Sequence, residues 1–228
     1  MNIAQSVIVV TAAGCPMGKA ISLHFASLGA KLALVDIEAS RLAQVQQACL
    51  CAGGDSDTFL LTAQDETSIA QLIRDIDHRF GAIDVLINYW QNAELPSLLE
   101  PTSVDRFCRS MIEGATPFFI FGKHTASYMR EHHSEGVIIN LAASYLNPDQ
   151  PANSSSKAMI SGLTQSWAKE LAEFNIRVGG VVPLCLERQP CQTDCTLSLP
   201  MQYEIVRCAE YIVANDYFNG RMIEAEAG

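Results

Sequence analysis

The chain has no C-x-x-C pair, no glycine- or proline-rich linker, no repeated segment and no long apolar run. Its eight cysteines are scattered, so neither a disulfide framework nor a zinc knuckle is expected. The nearest approach to a cluster is Cys185, Cys191 and Cys195, three thiols that would need a fourth ligand folded in beside them to hold a metal. They read instead as small apolar thiols in a loop. His132, His133 and Glu135 are loop neighbours of a kind that rarely converges on one ion, and no metal is expected. Positive charge is short too, since 15 lysines and arginines face 25 aspartates and glutamates, a net charge of −10. No field exists to draw phosphate polymers or anionic lipid, which excludes nucleic acid and membrane surfaces as partners. Without a spanning segment, or a basic flank ahead of the first apolar stretch, a cytoplasmic protein is expected. The missing linker and repeat make one domain over residues 1–228.

What is present is core material, since 49% of the 228 residues are apolar, enough for one large α/β domain. Ser6–Thr11 is a β-branched run that ends at a glycine-containing turn, and Met17–Leu28 then reads as a helix closed by Gly29. Lys31–Asp36 is a second strand of the buried type, followed by a helix over Ile37–Cys51. The alternation continues with strands at Phe59–Thr62, Val85–Asn88, Val137–Leu141, Val178–Val182 and Met222–Glu224. Between them lie helices at Thr67–Phe80, Val104–Arg130, Ser154–Phe174 and Gln202–Ala214. Strands regularly separated by helices require right-handed crossovers. The fold class is therefore α/β, a Rossmann-type doubly wound parallel sheet of about seven strands, with ligands bound at the carboxyl ends of the strands.

The landmarks on that frame are Thr11 to Gly18 after the first strand, Asp36 at the end of the second, and Ile83-Asp84-Val85-Leu86-Ile87-Asn88. Further on come Gly136-Val137-Ile138-Ile139-Asn140, then Ser156-Lys157-Ala158 with Ala168-Lys169-Glu170-Leu171-Ala172, and Ile176-Arg177-Val178 leading to Val182-Pro183. In order and spacing they resemble the short-chain dehydrogenase/reductase family over essentially the whole chain. The resemblance implies a nicotinamide dinucleotide on a T-G-x-x-x-G-x-G turn, whose glycines bring backbone N–H groups to the pyrophosphate. Here the turn reads Thr11-Ala12-Ala13-Gly14-Cys15-Pro16-Met17-Gly18, with Ala12 and Pro16 in two glycine slots. Proline has no N–H to offer a phosphate, although it opens a helix well. Asp36 stands where a carboxylate accepts the adenosine ribose hydroxyls and repels a 2′-phosphate, and it suits the start of the next helix equally. The resemblance thus assigns Thr11, Gly14, Gly18, Asp36, Asn88 and Lys157 to the cofactor. Thr62 replaces the family's strand-three Asp, and Asn88-Tyr89-Trp90-Gln91 its Asn-Asn-Ala-Gly, which puts Tyr89 and Trp90 in the cofactor path. The expectation is no cofactor or weak NAD(H), and no NADP.

The family's catalytic group is a Tyr acid/base in Y-x-x-x-K, whose Lys lowers the tyrosine pKa and holds the nicotinamide ribose. A Ser orients the carbonyl and an Asn holds a relay water. Lys157 matches the Lys, but Asn153 fills the Tyr slot, Ala143 the Ser slot and Gly114 the Asn slot. An amide cannot donate and recover a proton near neutral pH. Tyr145 and Ser144, just past the fifth strand, are the replacement donors on offer, and Tyr145 reads equally as the aromatic wall of a filled pocket. Pro183-Leu184 replaces Pro-Gly, and the segment at about 184–201 is a shortened substrate lid. Losses coincide at cofactor, catalyst and lid while the scaffold persists. The expected function is a non-catalytic, structural or regulatory subunit of a homo-oligomer, or of a hetero-oligomer with an active paralogue.

In the family, oligomers pack the long crossover helix and the Lys157 helix on their equivalents. Met159, Ile160, Leu163, Trp167 and Leu171 recur here at helical spacing, as core or as interface. Two alternatives stay open. One is an NAD-dependent oxidoreductase of a small alcohol or carbonyl using Lys157 with Tyr145 or Ser144. The other is a small-ligand or dinucleotide sensor with a pocket lined by Tyr89, Trp90 and Tyr145.

Overall fold

Short β-branched runs become strands here because each inner one is covered by helices on both faces. The computed structural model describes residues 1–90, 95–96, 98–99, 101–142, 153–183 and 199–225, with backbone alone at 153–156. Val7–Thr11 form β1, wholly buried. The turn after it opens α1 (Pro16–Ser27), with Pro16 in the first turn, where its missing N–H costs nothing. Then follow β2 (Lys31–Asp36), α2 (Ala39–Cys51), β3 (Asp55–Leu60), α3 (Glu66–Phe80) and β4 (Val85–Trp90). The long crossover is α4 (Ser103–Ser110), a turn of π-helix at Met111–Ala115, and α5 (Thr116–Glu131). The chain continues through β5 (Val137–Ala142), α6 (Asn153–Leu171), β6 (Arg177–Pro183), α7 (Leu199–Ala214) and β7 (Met222–Ala225).

All seven strands are parallel, in the order β3-β2-β1-β4-β5-β6-β7, which is the doubly wound sheet expected. Alternate residues of each strand serve opposite faces. Ile8, Val10, Leu32, Leu34 and Ile87 pack with α1, α2 and α7, while Val9, Ala33, Val35, Leu86 and Ile138 pack with α3, α5 and α6.

Two expectations are corrected, and one left open is decided. The third strand is Asp55–Leu60 and not Phe59–Thr62, paired with β2 from Lys31↔Asp55 to Asp36↔Leu60. It lies at the sheet edge, where Asp55 and Asp57 meet Arg79 at 3.6 and 2.8 Å, so it carries no apolar run. The crossover helix is not uniform, because the π-turn inserts at Met111–Ala115. The apolar stripe of α6 is core, with Ile160 and Trp167 buried and Met159, Leu163 and Leu171 packed on the same cluster.

The far end of the sheet is fastened by Arg177. Its guanidinium donates to the carbonyls of Ile212 at 2.8 Å and Val213 at 3.0 Å, which the end of α7 leaves without helical partners, and to that of Phe218 in the following loop at 3.2 Å. We expect Arg177→Ala to lower stability by about 3 kcal/mol, because three carbonyls lose a charged donor. Thermal unfolding checks this, with a drop of roughly 10 °C expected for a domain of this size.

Candidate functional site

β1 pairs with β2 on one side and β4 on the other, so successive crossovers leave it in opposite directions. The crevice outside the carboxyl ends at such a switch point is where α/β sheets bind ligands. The turn after β1, Asp36 at the end of β2 and residues 88–90 of β4 all reach this edge.

The turn keeps the shape of a glycine turn without all its glycines. Ala12 has φ of +51°, a left-handed conformation that costs an L-residue about 1–2 kcal/mol. Gly18 is indispensable, because a Cβ there would collide with the Ala12 carbonyl and lie 2.8 Å from the Ala13 Cα. Gly14 is needed too, as its Cβ would stand 2.7 Å from the Arg41 Cβ and 2.9 Å from the Asp36 carboxylate. Cys15 caps α1, its buried Sγ accepting from the Gly18 N–H at 3.2 Å. Burial pushes that thiol up to about 11 against the help of the Gly18 and Met17 amides, so the cap is a neutral thiol. The first amides of α1, the ones a pyrophosphate would use, are thus engaged by the chain itself, and Pro16 contributes none.

Asp36 is engaged in the same way. One carboxylate oxygen accepts from the Gly14 N–H at 2.8 Å and the other from the Glu38 N–H at 3.1 Å. The side chain clasps the turn to the start of α2, and Arg41 beyond it pairs with Glu38 at 2.7 Å. Thr11 and Asn88 serve the scaffold. The Thr11 hydroxyl accepts from the Tyr89 N–H at 2.9 Å and donates to the Ile87 carbonyl at 3.3 Å. The Asn88 amide is buried and donates to the Phe118 carbonyl at 2.9 Å. Beside it on β5 the Asn140 amide donates to the Thr164 hydroxyl at 3.1 Å.

Trp90 corrects an expectation. It does not crowd the cofactor path or line an open pocket, but lies in the core at 1% exposure, tilted on Phe118 with centroids 6.1 Å apart. Gly114 sits in the π-turn directly against it. Lys157, on the first turns of α6, extends to Glu224 of β7, Nζ to Oε1 2.6 Å, both side chains close to half exposed. Asn153 opens α6. Ala143, Ser144, Tyr145 and residues 184–198 of the expected lid, with its cysteines, lie outside the described residues, while 199–201 are the first turn of α7 and no part of a lid. Sequence reasoning missed Glu224, which is 67 positions from Lys157 and carries no motif. It also missed the Cys15 cap. Among the described residues no group of three or more His, Cys, Asp or Glu side chains is placed to hold a metal.

Residues 6–194 match the family model described as short chain dehydrogenase. The chain belongs to the short-chain dehydrogenase/reductase family. It is similar to a 3-oxoacyl-(acyl-carrier-protein) reductase of Thermotoga maritima, 31% identical over 82% of this chain and 76% of that one. Among solved structures, a short-chain type dehydrogenase/reductase from Mycobacterium marinum superposes with TM-score 0.84 at 20% identity, covering 100% of this chain and 96% of that chain. A 7α-hydroxysteroid dehydrogenase complexed with NADH and 7-oxo glycochenodeoxycholic acid gives 0.79 at 22% identity, with the same coverage.

Two substitutions test the turn without any ligand. Ala12→Gly is expected to raise stability by about 1 kcal/mol, since glycine takes positive φ without penalty. Asp36→Ala is expected to lower it by about 2 kcal/mol, because two amide donors lose their acceptor. Denaturant unfolding in nucleotide-free buffer measures both.

Proposed function

We propose that this chain is a non-catalytic member of its family, a structural or regulatory subunit of a cytoplasmic oligomer formed with itself or with an active paralogue. One observation carries the reading: Lys157 is ion-paired to Glu224, and the residue four positions before it is Asn153 instead of an acid/base tyrosine. The lysine is left without the phenol whose pKa it would lower. Support comes from the turn, where Cys15 and Asp36 use the amides that a dinucleotide would need. Cofactor binding in this reading is absent or weak, NAD(H) before NADP, because Asp36 repels a 2′-phosphate. The shortened lid at 184–198 belongs to the same reading, since without it water exclusion suffers.

Assembly would use the crossover helix. Val104, Phe107, Ile112 and Phe119 are 73, 47, 67 and 48% exposed, more apolar side chains than a solvated helix face needs. Among the described residues no helix is long and apolar enough to cross a membrane.

A second reading, an NAD-dependent oxidoreductase of a small alcohol or carbonyl, draws on the relatives. The Thermotoga protein is named a reductase and the hydroxysteroid dehydrogenase holds NADH. Asp36 and Lys157 occupy the family's positions, and Tyr145 or Ser144 would supply the proton.

Calorimetric titration of NADH and NADPH, with a redox assay over alcohols and ketones, separates the two. The first reading expects no heat from NADPH, NADH binding weaker than micromolar, and no turnover. Micromolar NADH binding with turnover that Tyr145→Phe abolishes would replace it by the second. Glu224→Gln, which removes the counter-charge of a half-exposed pair, is expected to change NADH affinity by less than about fivefold. Ile112→Glu with Phe119→Glu is expected to shift the sedimenting species to monomer.

A further inference from the structure

Trp90 ends β4, and its indole is buried against the π-turn that interrupts the crossover helix. A Cβ built on Gly114 would collide with the indole Nε1 and stand 3.0 Å from Cδ1. No residue but glycine fits there while the ring keeps its place. The indole N–H has no acceptor among the described residues, and Asn88, two positions earlier on the same strand face, has a carbonyl oxygen without a donor. Buried polar atoms left unpaired are unfavourable, so the volume of the ring is retained against a cost.

The indole does not stand alone. Phe118 lies tilted on it and stacks on Trp167 with centroids 5.7 Å apart. Trp167 in turn sits in a second glycine notch, where a Cβ on Gly122 would come within 2.6 Å of its Cη2. Gly114 and Gly122 are eight residues apart on one crossover, and each receives an indole. The column Trp90–Phe118–Trp167 is seated at both ends in notches that the crossover provides.

We infer that Trp90 is a plug in the proton-relay position of the site, and that residue 114 is glycine because the indole occupies the space its side chain would need. An asparagine with its water requires a polar, hydrated volume at the π-turn. The indole fills that volume with carbon and leaves one N–H without an acceptor among the described residues. A proton donor elsewhere in the crevice is therefore cut off from resupply along the crossover helix, and replacing Asn153 by tyrosine does not by itself rebuild the relay. The relay assignment of position 114 rests on the same reading as the proposed function. Micromolar NADH binding would overturn that function and leave both measurements below unaffected.

The test is a cycle of Gly114→Ala with Trp90→Leu, substitutions that keep the core apolar. With Trp90 present, Gly114→Ala is expected to lower the unfolding temperature by on the order of 5 °C through overpacking. In the Trp90→Leu background the sign reverses and alanine raises it by roughly 2 °C, because alanine is the better helix former. The same drop in both backgrounds would overturn the proposal. The second measurement is hydrogen exchange of the indole N–H by NMR in Trp167→Phe protein, which leaves a single tryptophan. A plug gives a protected indole N–H, whereas exchange complete in the first spectrum means water reaches position 114 and the relay volume is open.

Discussion

β1 is hydrogen-bonded on both edges, to β2 and to β4, and buried on both faces. That constraint organises the molecule. Parallel pairing sends every strand's carboxyl end to the same edge, and the reversal of winding at β1 opens a crevice there. The tight turn from β1 into α1 must then pass over β2, which is why Gly18 lies on the Ala12 carbonyl and Gly14 on Asp36. The Thr11 hydroxyl adds a side-chain tie from β1 to β4 at the mouth of the crevice. These contacts hold the shape of a dinucleotide turn whether or not a dinucleotide is there.

Polar groups at that edge have partners within the chain. Cys15 takes amides of α1, Gly14 and Glu38 take the two oxygens of Asp36, and Glu224 takes Lys157. The Asp36 clasp, the Lys157 pair and the Trp90–Gly114 contact differ in weight. The Asp36 clasp is largely buried and gives two donors to a charged acceptor, a strong arrangement. The Lys157 pair is half exposed and weak, so it yields readily to a competing ligand. The Trp90–Gly114 contact is steric, and no ligand displaces it without moving the ring. The three therefore respond to different perturbations, and the activity of the family is not inherited through fold alone.

Much of the fold was legible because its signal is local. β-branched runs, helical spacing and glycine stops recur along the chain, and strand and helix order followed from them. β3 was misplaced because an edge strand that pairs its carboxylates with Arg79 has no apolar run to read. The π-turn escaped because no local pattern marks it, and the indole that packs against its Gly114 comes from 24 positions away in sequence. Among the site residues, the substitutions at 12, 16, 114 and 153 were visible as departures from a spacing. What fills the space they left was not.

The sequence by itself determined a doubly wound parallel sheet and the edge at which a ligand would lie, since these follow from the alternation of strands and helices and from right-handed crossovers. It also determined which side chains are missing. Only the tertiary structure decided what the remaining ones do: that Trp90 turns inward, that Asp36 clasps the turn, and that Lys157 meets a carboxylate from β7. Those outcomes depend on contacts between residues far apart in the chain, where space and hydrogen-bond partners are set by packing and no local pattern encodes the choice.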